Sequence, residues 1–219
     1  MIDLHTHTLF SDGELLPSEL VQRAVRLGLK GVALTDHVDM SNLDFVLPRI
    51  VGAVNELNRH HDIVALAGVE LTHLPPVLIG PLTRMARHQG AQIVVVHGET
   101  LAEPVAEGTN QAALEAGVDL LAHPGLITPA QAQLAAQKGV LLEISARKGH
   151  CLANGHVARL ARAAGAALVI NTDSHVPDDL IGEAEAIKVA LGAGLKEDEV
   201  QALFAAAERF VLMATSREA

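Results

Sequence analysis

Short runs rich in Val, Ile and Leu alternate with longer amphipathic stretches along the whole chain, and few folds accommodate that pattern. Repeated βα units joined into a parallel sheet do. Seven strand candidates stand near Ile2–His5, Gly31–Thr35, Ile63–Val69, Ile93–Val96, Leu120–Ala122, Val140–Ile144 and Ala167–Asn171. Helix candidates between them cover Pro17–Leu27, Leu43–Arg59, Leu78–His88, Gln111–Glu115, Pro129–Gln137, Gly155–Ala164 and Glu183–Leu191, with a last one over Glu197–Arg209. Gly28, Gly90, Gly117, Gly139 and Gly165 each follow a helical stretch and precede a strand, as helix-stopping glycines do. Periodicity fits a closed barrel and an open doubly wound sheet alike; the polar residues separate them. A barrel gathers its site on the ring of loops after the strands, an open sheet at one switch point.

Composition narrows the function. The 219 residues carry a formal charge of −10, from 26 acidic and 16 basic side chains with no basic run, which disfavours long nucleic acids as partners. There is no Trp or Tyr to stack single-stranded bases. Cys151 is the lone cysteine, so no intrachain disulfide forms, and the N-terminus has no signal-like segment. No apolar run reaches the roughly 18 residues of a membrane span, so a cytoplasmic protein is expected. With hydrophobic residues at 49% and no Pro/Ser-rich linker, residues 1–219 are read as one domain.

Nearly every strand candidate ends at a metal-ligand residue type. His5 and His7 close the first, Asp12 lies in the next loop, and His37, Glu70, His97 and His123 follow the second to fifth. Asp173 and His175 follow the seventh. His5-Thr6-His7 aims two imidazoles to one side, because alternate strand residues share a face, and Asp173-Ser174-His175 repeats that spacing. Imidazole and carboxylate without thiolate suit zinc, manganese or iron and hydrolytic chemistry. Nine such ligands exceed the needs of one ion, so two or three are implied, with Glu70 as a natural bridge.

Other polar residues receive plainer readings. His60, His61 and His88 sit in last helical turns, where a cation is favourable. His156 is expected to be solvated. Asp36 either orients an imidazole or shapes the turn, and His73 faces the site without an assignable partner. After the sixth strand, which has no ligand, the run from Ser145 through Arg147 and Lys148 to His150 either binds phosphate through Arg147 or forms a solvated loop. Lys148 is a further candidate substrate contact, and Asn154 and Glu99 are candidates for contacts to the rest of the substrate.

The pieces Asp3-Leu4-His5-Thr6-His7-Thr8, Ser11-Asp12-Gly13, Thr35-Asp36-His37, Gly68-Val69-Glu70, His97, His123-Pro124 and Thr172-Asp173-Ser174-His175 together resemble the polymerase and histidinol phosphatase (PHP) family of metal-dependent phosphoesterases. The resemblance implies a distorted (βα)7 TIM-like barrel with its site at the C-terminal strand ends. It implies one ion on His5, His7, Glu70 and Asp173, a second on Glu70, His97 and His123, and a third on Asp12, His37 and His175. Glu70, Asp173 and His175 would bear most directly on catalysis. The chain looks like a short, stand-alone member whose ions lower the pKa of water towards about 7 and promote in-line attack on a phosphate ester. A histidinol-phosphatase-like reaction on a small phosphomonoester is the expected function. A phosphodiesterase or exonuclease on short nucleotides and a non-catalytic metal-binding scaffold are the alternatives.

Overall fold

The computed structural model describes residues 1–216. Its strands are β1 (Ile2–Asp3), β2 (Gly31–Leu34), β3 (His37–Val38), β4 (Val64–Leu71), β5 (Ile93–His97), β6 (Leu120–Ala122), β7 (Leu141–Ser145) and β8 (Leu168–Asn171). Every pairing is parallel, in the order β1-β2-β4-β5-β6-β7-β8. β2 and β3 are one stave interrupted at Thr35 and Asp36, since both pair with β4. The seven staves thus match the expected number. The ends nearly meet: Asp173 N donates to the His5 carbonyl and His7 N to the Ser174 carbonyl, both at 2.9 Å, and Leu4 N donates to Asn171 Oδ1 at 2.8 Å. The result is a nearly closed, distorted (βα)7 TIM-like barrel.

Helices α1 (Pro17–Arg26), α2 (Leu43–Leu57), α3 (Pro76–His88), α4 (Thr109–Ala116), α5 (Pro129–Lys138), α6 (Asn154–Ala164) and α7 (Glu183–Gly192) alternate with the strands. Their buried stripes, such as Leu20, Val21 and Ala24 on α1, pack against the outward side chains of the sheet. Left-handed glycines close α4, α5 and α6 at Gly117, Gly139 and Gly165, as the sequence pattern required.

The barrel interior is layered, and the layering positions the site. Ala33, Leu66, Ile93, Val95, Leu120, Ala122, Leu141 and Val169 form a separate apolar cluster with Ala206, Ala207, Phe210, Val211 and Ala214 of α8 (Glu197–Ser216). α8 therefore plugs the N-terminal mouth. Side chains on a strand repeat their direction every second residue, so the inward lines continue from Leu66 through Gly68 to Glu70, from Val95 to His97 and from Leu141 to Glu143. Gly68 is the step in its line where the chains pass closest: a Cβ there would sit 2.7 Å from the Ile93 carbonyl oxygen. Hydrophobic filling thus gives way to polar side chains at the C-terminal ends.

Candidate active site

At that end lies a cavity of about 360 Å³, lined by residues that include Asp12, His37, His73, His97, Glu103, Arg147, His150, Asp173 and His175. His5, His7, Glu70 and His123 form the buried floor beneath it. All nine residues singled out by the sequence therefore converge. His7, Asp12, His37 and His175 each offer one donor atom, all within 4.8 Å of one another. The same holds for His5, His7 and Glu70, for His5, His123 and Asp173, and for His37, Glu70 and His97.

The spacing of these atoms is informative. His5 Nε2 lies 3.3 Å and His7 Nε2 3.5 Å from Glu70 Oε2, His7 Nε2 is 3.2 Å from Asp173 Oδ1, and His123 Nε2 is 3.7 Å from Glu70 Oε1. His175 Nε2 is 3.2 Å and His37 Nε2 3.5 Å from Asp12 Oδ1. Two donors bound at about 2.1 Å to one ion would stand about 3.0–3.4 Å apart. Yet both Glu70 oxygens, His5 Nε2 and both nitrogens of His7, His97 and His123 make no hydrogen bond among the described residues. Buried polar atoms left so in number are costly unless something else satisfies them, and divalent cations fit this donor set.

Neighbouring groups fix which ring nitrogen is free. His5 Nδ1 donates to Glu143 Oε1 at 2.9 Å, which turns Nε2 towards Glu70 and Asp173. Thr72 Oγ1 donates to the Glu70 carbonyl and so accepts from His37 Nδ1 at 2.6 Å, leaving His37 Nε2 open towards Asp12. His37 Nδ1 is also 2.7 Å from Glu70 Oε2, a contact without hydrogen-bond geometry. Glu143 further accepts from Asn171 Nδ2 at 2.8 Å and from His123 N at 3.0 Å, so one fully buried carboxylate ties β7 to three other staves.

The electrostatics follow from burial and crowding. Burial would favour the neutral Glu70 acid, but His5, His37 and His97 hold its carboxyl well below the usual range. Burial also opposes the His5 imidazolium, yet Glu70, Glu143 and Asp173 hold its pKa well above the ordinary value. His7 and His123 are kept neutral by burial, reinforced by His37 and His97 respectively. Burial pushes Asp173 up to about 7 against the pull of His5. His150 is lowered to about 4 by burial and by His97. His123 and Asp173 also adopt positive φ, at 28° and 51°, as does His73 at 50°. Non-glycine residues rarely do so, and such strain collects at functional sites.

The other polar residues fall in different places. Asn154 lies outside the cavity lining, because its Oδ1 accepts from Ser145 N and its Nδ2 donates to the Ser145 carbonyl. Lys148 is exposed and likewise absent from the lining. Glu99 caps α4, with Oε1 accepting from Gly108 N and Asn110 N. His156 is half-buried rather than solvated, and Nε2 donates to the Ile127 carbonyl. Asp36 shapes the turn: it accepts from the backbone N–H and the hydroxyl of both Thr8 and Ser11, which sets the loop bearing Asp12. His60 and His88 are exposed, away from the site. Arg147 does line the cavity, with Nη1 donating to the Asp173 carbonyl at 2.9 Å and lying 2.7 Å from His175 Nδ1.

The sequence reading assigned no role to Glu143, Glu103 or His150. A glutamate inside the apolar run Val140–Ile144 was the available signal for the first, since a buried charge needs partners. Glu103 reaches in from the loop after β5, with Oε2 3.2 Å from both His97 Nε2 and His73 Nε2. Nothing in its local sequence marks it.

The model of the PHP domain matches residues 3–100. A probable phosphatase of Shewanella pealeana is 31% identical over 207 residues, covering 80% of this chain and 78% of that protein. The chain belongs to the PHP family. An uncharacterized protein of Methanocaldococcus jannaschii is 48% identical over 201 residues, 91% of this chain and 92% of its own length. Relatives named as a ribonuclease P protein component and a 5'-3' exoribonuclease match as well. Among solved structures, histidinol phosphate phosphatase of Lactococcus lactis, complexed with zinc, L-histidinol and phosphate, shares the fold with a TM-score of 0.62 at 18% identity, covering 89% of this chain and 94% of that one. This PHP protein is a metal-dependent phosphoester hydrolase. No helix among the described residues is long and apolar enough to cross a membrane.

Proposed function

We propose that the protein hydrolyses a small-molecule phosphomonoester, in the manner of a histidinol phosphatase, with two or three divalent ions of zinc, manganese or iron. Residues 1–219 are taken as one barrel domain acting in the cytoplasm. The observation that carries the reading is the set of buried, unbonded imidazole and carboxylate atoms around Glu70. His5, His7, Glu70 and Asp173 would hold one ion, Glu70, His97 and His123 a second, and Asp12, His37 and His175 a third. Ions in such a site polarise phosphoryl oxygens and lower the pKa of water towards about 7.

The remaining work falls to the chain. Glu143 fixes the His5 ring and Glu103 faces the outer nitrogen of His97, as carboxylates behind metal-binding imidazoles do. His175 Nδ1 lies 3.0 Å from the Asp173 carbonyl and 2.7 Å from Arg147 Nη1, and it cannot serve both, since a guanidinium only donates. With its Nδ1–H donated to the carbonyl, His175 Nε2 is free for an ion, and Arg147 stays on the cavity wall, where Nη1 donates to the Asp173 carbonyl and lies 3.4 Å from Asp179 Oδ2. There its guanidinium would bind non-bridging oxygens of the phosphate.

A second reading, a phosphodiesterase on short nucleotides, is supported by the nuclease-named relatives. Metal analysis followed by assays of matched aryl phosphomonoesters and diesters with manganese, zinc and iron separates the two. A protein that takes up ions yet cleaves diesters in clear preference would overturn the monoester reading.

A further inference from the structure

His150 stands outside the nine-residue set, yet its ring is placed where substrate must pass. It is 6% exposed, lines the cavity and stacks on His123 with centroids 4.1 Å apart. Its Nε2 faces two carboxylate oxygens, Glu103 Oε1 at 3.5 Å and Asp173 Oδ2 at 3.8 Å. Both are acceptors, so the ring proton belongs on Nε2. The opposite nitrogen is compatible with this: Nδ1 lies 2.7 Å from Thr100 Oγ1, whose one proton can turn towards it while a lone pair accepts from Ala102 N. The Thr100 hydroxyl thereby holds His150 in the tautomer that presents an N–H to the cavity.

Height within the cavity decides which oxygen meets that N–H. The proposed ion-binding floor lies below, at His123, and Glu103, with its side chain 40% exposed, lies above at the rim. A phosphoryl group on the floor puts the ester oxygen between them, with the organic group towards the mouth. Arg147 reaches Asp173 from the same loop, Nε to Oδ2 at 3.7 Å, so the two donors share the sector after β7 that has no proposed ligand.

The geometry points to His150 as a further catalytic residue, whose Nε2–H hydrogen-bonds the leaving oxygen as the P–O bond breaks. The proton stays on the imidazole; the donor stabilises charge that appears on the oxygen only as the bond cleaves. This rests on the proposed hydrolysis at the same site and adds a role that no ion-binding assignment supplies.

The test is the leaving-group dependence of kcat for the manganese-loaded protein, from 4-nitrophenyl phosphate to simple alkyl phosphates. His150→Phe keeps the stacked ring without the donor, and His150→Gln restores an N–H near Nε2. His150→Phe should lower kcat on alkyl esters by about a hundredfold, the usual cost of removing one donor aimed at a developing oxyanion. It should leave 4-nitrophenyl phosphate within a few-fold of wild type, because that leaving group needs little help. Metal content should not change, and His150→Gln should recover part of the loss. Thr100→Val should show the same dependence at smaller amplitude. Equal losses across the series, a Gln variant no better than Phe, or a Thr100→Val protein identical to wild type would overturn the proposal. Should wild type cleave only diesters, the monoester reading fails, and the same comparison on a diester series still decides His150.

Discussion

Replacing Glu143 by Gln removes one charge and almost no volume from the floor of the site, and its consequences can be worked out bond by bond. The carboxylate accepts from His5 Nδ1, Asn171 Nδ2 and His123 N, at 2.9, 2.8 and 3.0 Å, with no exposure to water. A glutamine can keep its oxygen towards His5 and Asn171, but its amide nitrogen then faces the His123 N–H, donor against donor. One buried hydrogen bond is lost and a donor left unpaired, a cost of about 1–3 kcal/mol to folding. The remaining acceptor for His5 is neutral, so the imidazole is a poorer ligand. Loss of such a partner lowers metal affinity by about tenfold to a hundredfold, or about 1.4–2.7 kcal/mol. The group of Asp12, His37 and His175 has no hydrogen bond to Glu143 and should keep its affinity. Competition of manganese or zinc against a chromophoric chelator, with circular dichroism as a check on folding, should therefore resolve one weakened class of sites and one unchanged. A wild-type isotherm, or equal weakening of all classes, would refute the reasoning.

Chelation should lower the melting temperature of the metal-loaded protein by about 5–10 °C per ion, from about 2.7 kcal/mol at a hundredfold excess over Kd, and scanning calorimetry with and without EDTA measures it. Glu70→Gln should abolish most turnover and reduce bound metal, whereas His60→Asn, in the exposed turn after α2, should change neither; kinetics and elemental analysis of both proteins decide the matter. Arg147→Ala should reduce kcat/KM on an aryl monoester by about tenfold to a hundredfold with much less effect on the matched diester; equal effects would return Arg147 to a structural role. Metal affinity should rise with pH between 6 and 8, because ligand imidazoles must be neutral to bind an ion, and binding isotherms at both pH values check the sign.

The βα repeat and the ligand residues were legible because both are periodic or terminal features of strands. Regular alternation marks each stave, and His97 or Glu70 stands out as the polar residue that ends an apolar line. The split of the second stave was not legible: the strand candidate ended at Thr35 with nothing to mark His37–Val38 as its resumption, and packing decides between the two readings of Asp36 by turning it to gather the Thr8 and Ser11 donors. Residues of the loops and of the helix starts were the least readable. Asn154 and Glu99 have the composition of substrate contacts, yet both are consumed by backbone groups close in sequence, at Ser145 and at the start of α4. Conversely, Glu103 and His150 carry no local mark: the fold of the loop after β5 turns Glu103 back onto His97, and the pairing of β6 with β7 brings His150 against His123.

The two ends of the barrel make opposite demands on the same strands. At the C-terminal end, Glu70, Glu143 and Asp173 lie together at 2% exposure or less, and His123 and Asp173 adopt positive φ. Each such strained residue costs about 1–3 kcal/mol, and buried carboxylates are costlier still without partners. At the other end, Phe210 and Val211 of α8 belong to one apolar cluster with Ile93, Leu66 and Leu120. The strands are thereby anchored where nothing reactive is needed, and their free ends are held by Glu143 and by the Asp3 carboxylate, which accepts from Thr172 N and the Thr172 hydroxyl. Such an arrangement keeps the imidazole rings from collapsing onto hydrogen-bonded partners of their own, and it is this enforced shortage of partners that makes the floor a place for cations.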